Sequence, residues 1–317
     1  MQAPAFQEMQ MNPMSKWARC AVPLSAVGAT IALFAAPAAA QSTEQASGAA
    51  NPDRARVEAL LATVPQPEQR AGNGAEVVDG KPAKPGKWPF TVALVSKGNP
   101  NNFTAQFCGG SLIDDNHVLT AAHCVEGAAP SQIQALVGTH SLVSGGRRVD
   151  VTRVTIHPDF AATPFLQADV AVLRLAQAVT DITPVTYAAT KAIDEQVSPD
   201  NSKTTVMGWG ALEWNQGGPE VMHQAKLQRN TVAECNALGF YSGRLTENNV
   251  CAGDLQSPGK SACYGDSGGP LVGKGDNGAT VQIGVVSGGP QVCGNVAGYF
   301  ARVGSYAPWI KDQVLAP

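Results

Sequence analysis

Gly265-Asp266-Ser267-Gly268-Gly269-Pro270 sets one serine among three glycines within six residues. Glycine permits a tight turn there, and neighbouring N–H groups can converge on an oxyanion. Gly-x-Ser-x-Gly is also the nucleophile elbow of α/β-hydrolases, a fold that places its catalytic histidine after the serine. The chain's five histidines are His117, His123, His140, His157 and His223, and none follows Ser267. The elbow, its sheet, and an esterase or lipase of that type are therefore excluded.

A serine hydroxyl needs an adjacent base to attack at neutral pH. His123 closes the run Val118-Leu119-Thr120-Ala121-Ala122 and abuts Cys124, so a covalent staple at a strand end would restrict its rotamers. The other four histidines have no such anchor beside them. The base in turn needs a carboxylate to fix its tautomer and to stabilise the imidazolium. Asp169 stands in Phe165-Leu166-Gln167-Ala168-Asp169-Val170-Ala171-Val172-Leu173. Burying a carboxylate in so apolar a run is costly without a partner. The order His123, Asp169, Ser267 is the chymotrypsin type, whereas subtilisin places its Asp first.

Outward from these residues the chain reads as short β-rich runs broken by turn signals. Candidate strands are Phe90–Val95, Asn116–Thr120, Val149–Ile156, Val170–Leu175, Thr204–Met207, Val281–Val286 and Tyr299–Val303. Only the end carries a helical stripe, at Trp309, Ile310, Gln313 and Val314. Seven or more strands with turns between them predict an all-β fold, a sandwich or a barrel. Residues 77–317 suit two small barrels better than one sheet.

The first 76 residues differ in texture. Lys16 and Arg19 precede an apolar segment from Ala21 to Phe34, and Ala38-Ala39-Ala40 forms a small-residue cleavage site. Residues 1–40 are thus expected to be a secretory signal, and the protein to be secreted, extracellular or periplasmic. Residues 41–76 are polar, with one amphipathic patch at Val57, Leu60, Leu61 and Val64 behind the Asn51-Pro52 cap. A pro-segment is expected there.

Lys and Arg number 22 against 25 Asp and Glu, which argues against nucleic acid or anionic membrane as the main partner. After residue 40 no apolar run reaches the roughly 18 residues of a membrane span. Beyond Cys20 six cysteines remain, an even number suited to an oxidising compartment. Six cysteines allow fifteen connectivities, among which sequence does not choose. Their spacing suggests local staples at Cys108/Cys124, Cys235/Cys251 and Cys263/Cys293, each worth roughly 3 kcal/mol in the chain-entropy model. Neither Cys-x-x-Cys nor His-Glu-x-x-His occurs, so no metal and no cofactor are expected.

From Val77 onward the chain resembles the trypsin/chymotrypsin family of serine endopeptidases. The matching stretches are Cys108–Ile113, Leu119–Cys124, Asp169–Leu173, Gly208-Trp209-Gly210, Asn249–Gly253 and Gly265–Pro270, in the family's order. The resemblance implies two six-stranded antiparallel β-barrels packed face to face, roughly residues 77–195 and 196–317, with a short C-terminal helix and the three disulfides above. It implies His123 as general base, Asp169 as its orienter and Ser267 as nucleophile, with the N–H groups of Gly265 and Ser267 as oxyanion hole. It places Ser261 at the base of the primary pocket, where trypsin-like members carry Asp, with Ser287, Gly289 and Gly298 around it. Apolar or aromatic residues before the scissile bond are the expected preference. Val286 stands where glutamate-specific relatives carry histidine, and Gly288 where an aromatic is usual beside Ser287. In the loop Gly138–Val149, Thr139, Arg147 and Arg148 replace the acids of calcium-binding members.

By the same resemblance Val77 would supply a freed ammonium to Asp266, although Glu76, not Arg or Lys, precedes it. Implied partners are protein or peptide substrates, an activating protease and protease inhibitors; a monomer is expected. An inactive homologue acting as a binding protein is the competing function. Such homologues usually lack the His or the Ser, and both stand here in intact motifs.

Overall fold

The computed structural model describes residues 80–161, 165–213, 216–256, 259–275 and 277–316. The expected leader, the pro-segment and Val77 lie outside these residues. After β1 (Lys81–Pro82), six antiparallel strands form the first barrel. They are β2 (Thr91–Ser96), β3 (Gln106–Leu112), β4 (His117–Thr120), β5 (Ile133–Val137), β6 (Arg147–Ile156) and β7 (Ala171–Leu175), closed in the order β2-β3-β4-β7-β6-β5. After β8 (Thr186–Tyr187), the second barrel comprises β9 (Lys203–Gly208), β10 (His223–Asn230), β11 (Asn249–Ala252), β12 (Pro270–Lys274), β13 (Thr280–Gly288) and β14 (Gly298–Arg302). Their ring runs β9-β10-β11-β14-β13-β12 and closes through β12 and β9.

All seven expected strands are present to within two residues at each end. The run 299–303 yields Val303 to a C-terminal helix, Val303–Leu315. That helix begins six residues before the stripe seen in the sequence, because Pro308 interrupts the pattern of Val303, Tyr306, Ala307 and Ile310, all of which are buried. Five barrel strands escaped the pattern: β3, β5, β10, β11 and β12. In β3 a Cys-Gly-Gly core weakens the β signal. In β10 the inward positions include His223 and Arg229, so burial does not show as apolarity.

Each barrel is filled by its own side chains, as closure of a six-stranded sheet requires. Leu94, Leu112, Leu119, Leu136 and Leu173 pack the first; Val206, Leu227, Leu271, Ile283 and Phe300 pack the second. The first core continues without a break into Met207, Trp209, Val285, Tyr306 and Ile310, which joins the barrels through apolar contact. Across this junction the Ser111 hydroxyl donates to Gln282 Oε1 at 2.7 Å, so a buried polar pair also fixes their register.

The linking helix Lys191–Val197 is anchored from within. Asp194, fully buried, takes Arg229 Nη1 at 2.9 Å and the Arg302 guanidinium, while Arg302 also reaches Glu195 at 2.9 Å. Burial pushes the Asp194 carboxyl up against the pull of the two guanidiniums. The three local disulfides form as expected: Cys108–Cys124, Cys235–Cys251 and Cys263–Cys293.

Candidate active site

Three separated parts of the chain meet where the barrels join. His123 lies on a 3-10 turn, Ala122–Cys124, directly after β4, and the Cys108–Cys124 bond ties that turn to β3. Asp169 lies just before β7, at a turn whose preceding residue, Ala168, has φ +48°. A non-glycine residue in that region stores roughly 1 kcal/mol or more, which the packed surroundings must hold.

Asp169 is 0% exposed and accepts from both barrels. The backbone N–H of His123 donates to Oδ1 at 2.9 Å, and Nδ1 lies 2.7 Å from Oδ2. From the end of β13 the Ser287 hydroxyl donates to Oδ2 at 2.5 Å. A carboxylate can only accept, so Nδ1 must carry a ring proton; in the neutral imidazole that leaves Nε2 with its lone pair. The imidazole side chain is 26% exposed.

Ser267 sits on a turn shaped by Gly265 (φ +95°) and Gly268 (φ +79°). A side chain at Gly268 would collide with Thr120 Oγ1 and the Gly109 carbonyl, so only glycine lets this turn lie against the first barrel. The Gly109 N–H donates to the Ser267 carbonyl at 2.7 Å, and Gly268 N–H to the Val286 carbonyl at 2.8 Å. The turn is therefore stitched to β3 and β13 on either side. No hydrogen bond joins the Ser267 hydroxyl to His123 in this conformation, and Nε2 lies 3.8 Å from Cys124 Sγ. Among the described residues, nothing takes up the Gly265 and Ser267 amide N–H groups.

Asp266 is 2% exposed and turned inward. It accepts from Gly210 N–H at 2.8 Å and Cys263 N–H at 3.1 Å, and any side chain at Gly208 or Gly210 would strike it. Burial pushes its carboxyl up to about 6, against the two amide donors and His223. Gln106, at the start of β3, donates from Nε2 to the Gly265 carbonyl at 2.9 Å. That contact orients the peptide before Asp266. Nothing near Gln106 in sequence announces it, because its partner is 159 residues away.

Beside Ser267 opens a cavity of about 210 Å³, walled by Ala262, Cys263, Tyr264, Val286, Gly289 and Pro290 among others. No carboxylate lines it. Gly289 and Gly298 face one another: a Cβ on Gly289 would sit 3.5 Å from Gly298 Cα. Ser261 is buried, with its hydroxyl donating to the Ala262 carbonyl at 2.8 Å, and neither it nor Gly298 forms part of the wall. Tyr264 is 54% exposed and its hydroxyl donates to the Gln291 carbonyl at 3.0 Å, which ties the serine turn to the opposite loop. Cys108, Cys124 and His123 also cluster, but both sulfurs are committed to a disulfide and offer no thiolate to a metal.

Tyr299 was not singled out in the sequence. Its ring fills the volume over Gly288, where a Cβ would lie 2.6 Å from the phenol oxygen. It packs against Phe165 (5.9 Å) and Tyr241 (6.0 Å), the first of these just ahead of Asp169. Burial pushes the phenol up, while hydrogen bonds to the Leu166 backbone and the Ser287 side chain pull it back. An aromatic absent at Gly288 is thus replaced by one from β14, and the missing ring at 288 was the clue. Gly288→Trp alone should overpack, losing about 1–3 kcal/mol and much of kcat/KM. Combined with Tyr299→Val it should recover most of both, measured by thermal unfolding and peptide hydrolysis. Additive losses would show that the two positions do not share one volume.

The family model described as Trypsin matches residues 77–310. The chain is also 35% identical, over 246 residues, to Trypsin Blo t 3 of Blomia tropicalis, covering 75% of this chain and 85% of that protein.

Proposed function

Given that the chain belongs to the trypsin family and is a serine endopeptidase, we propose that His123, Asp169 and Ser267 are its catalytic triad. The observation that carries this is the dry carboxylate of Asp169, held by Ser287 of one barrel while it fixes Nδ1 of His123 in the other. With the proton on Nδ1, Nε2 accepts the Ser267 proton as Oγ attacks the scissile carbonyl. The imidazolium so formed faces Asp169, which stabilises its charge and keeps its orientation without taking the proton. The carbonyl oxygen, now negative, meets the N–H groups of Gly265 and Ser267, each such donor being worth about 10²–10³ in rate. The imidazolium then protonates the leaving amine. Water, activated by the same nitrogen, hydrolyses the acyl-enzyme.

The pocket supports cleavage after large apolar or aromatic residues. Its wall holds no carboxylate, and the Ser261 hydroxyl is turned away to a backbone carbonyl. A buried Lys or Arg would lack a counter-ion, a penalty of several kcal/mol. A preference for Lys or Arg before the scissile bond is therefore not expected of this chain.

Activation follows from Asp266. Burial disfavours its charge, and an ammonium from a freed Val77 would reverse that by pairing with it. Such pairing would hold the turn that carries the oxyanion N–H groups. Residues 1–40 act as an export signal on this view, and 41–76 keep the exported enzyme inactive.

One experiment tests both parts. Chains beginning at Gln41 and at Val77 are assayed on fluorogenic peptides with Phe, Tyr, Leu, Arg or Glu before the scissile bond. The Val77 form should favour Phe over Arg by about tenfold or more in kcat/KM, and the Gln41 form should be nearly silent. Arg ahead of Phe would overturn the preference; equal rates for the two forms would remove the pro-segment's role.

A further inference from the structure

A concavity larger than the one beside Ser267 lies elsewhere. Six of the chain's eleven lysines line two adjoining hollows on the outer face of the second barrel, of about 460 and 410 Å³. Lys87, Thr205 and Lys226 belong to both, so the hollows run into one another. Strand register builds the face. Gln224 lies opposite Lys81, Lys226 opposite Thr205, Gln228 opposite Lys203, and Lys274 opposite Thr280. Side chains two apart on β10 share a side of the sheet, which sets Lys226 between two glutamines.

Three of these ammonium groups are bound to neutral acceptors. Lys87 donates to Gln224 Oε1 at 2.9 Å, Lys203 to Gln228 Oε1 at 2.6 Å, and Lys274 to Thr280 Oγ1 at 2.6 Å. Elsewhere Lys97 and Lys191 have carboxylates, Asp150 and Glu247. No acid lines either hollow among the described residues. Burial and the nearby charges of Lys81, Lys226, Lys274 and Lys84 together push the Lys87 ammonium down. A chain of net charge −3 thus gathers a positive field on one face.

We infer that this face is a binding site for a linear anionic polysaccharide, lying along both hollows in series. Lysine presents a hydrated point charge without the planar fork of arginine, which suits repeated sulfate or carboxylate groups more than one fixed anion. Thr205, Thr280 and Gln224 supply hydrogen bonds for sugar hydroxyls. The face offers no exposed ring for base stacking, since Trp88 is 6% exposed and lies beneath Lys87 at 4.8 Å. Nor does any exposed large apolar side chain lie there to enter a bilayer; those described are Phe103, Val143, Ile193, Phe240, Tyr264 and Leu315. This site is independent of the peptidase chemistry.

The test uses the full chain carrying Ser267→Ala, so that it does not digest itself, with heparin as probe. Binding is measured at several salt concentrations beside a duplex DNA and phosphatidylserine vesicles. Heparin should bind at about 50 mM salt despite the net negative charge, and weaken steeply as salt rises. Lys87→Gln/Lys226→Gln/Lys274→Gln should lose at least about tenfold and flatten the salt slope by about one per charge contact removed. A control of equal charge, Lys97→Gln/Lys191→Gln/Lys311→Gln, should lose far less. On the unmodified lysines, heparin should protect 81, 87, 226 and 274 from acetylation, read by mass spectrometry, which needs no lysine variant to fold. Absence of heparin binding, equal losses in the two triples, DNA or vesicles binding as tightly as heparin, or protection elsewhere would each overturn the proposal.

Discussion

Ser267→Ala should lower kcat by about a million-fold with KM changed little, leaving a residue of activity well above the uncatalysed rate. Alanine removes the proposed nucleophile but keeps the turn. The Gly109 and Gly268 backbone bonds that seat it do not involve the Ser267 side chain, so substrate binding and the amide donors survive. The residual rate, about 10³–10⁴ over water, would come from those donors and from positioning. His123→Ala should cost a similar factor, and the double variant little more than either alone, because the groups act as a unit. Single-turnover hydrolysis of an apolar peptide substrate measures all three. Multiplying losses, or a Ser267→Ala enzyme within about a hundredfold of the parent, would move the nucleophile elsewhere.

Asp169→Asn should reduce kcat by about 10⁴-fold near neutral pH with the fold retained. The carboxylate accepts three hydrogen bonds, from the His123 N–H, the Nδ1 proton and the Ser287 hydroxyl. An amide of the same shape can accept through one atom only. If its NH₂ faces Nδ1, the ring must carry its proton on Nε2, and that nitrogen can no longer take a proton from Ser267. The cavity stays filled, so thermal unfolding should shift by only a few degrees, which separates chemistry from collapse. A loss below about tenfold would mean that another acceptor orients His123.

Much of the site was legible because its chemistry is local. The serine turn needs glycines on both sides of one residue, and those glycines are contiguous. His123 stands beside the cysteine that pins it. Asp169 is conspicuous as one charge in an apolar run. Parts of the fold were harder. β10 hides its inward face behind His223 and Arg229, whose burial is licensed by partners such as Asp194, 35 residues away. The wall of the pocket differs as well, with Ser261 drawn back to Ala262 and Tyr264 reaching Gln291.

Along the chain, periodicity and composition specify an all-β body, and the order of His123, Asp169 and Ser267 points to the reaction proposed for them. Folding decides what depends on distance through space. It brings the Ser287 hydroxyl to Asp169 across 118 residues, swings Tyr299 over Gly288, and collects scattered lysines onto one face. Volume exclusion, hydrogen-bond satisfaction and Coulomb fields act between atoms wherever the backbone carries them, and so cannot be read from residues one after another.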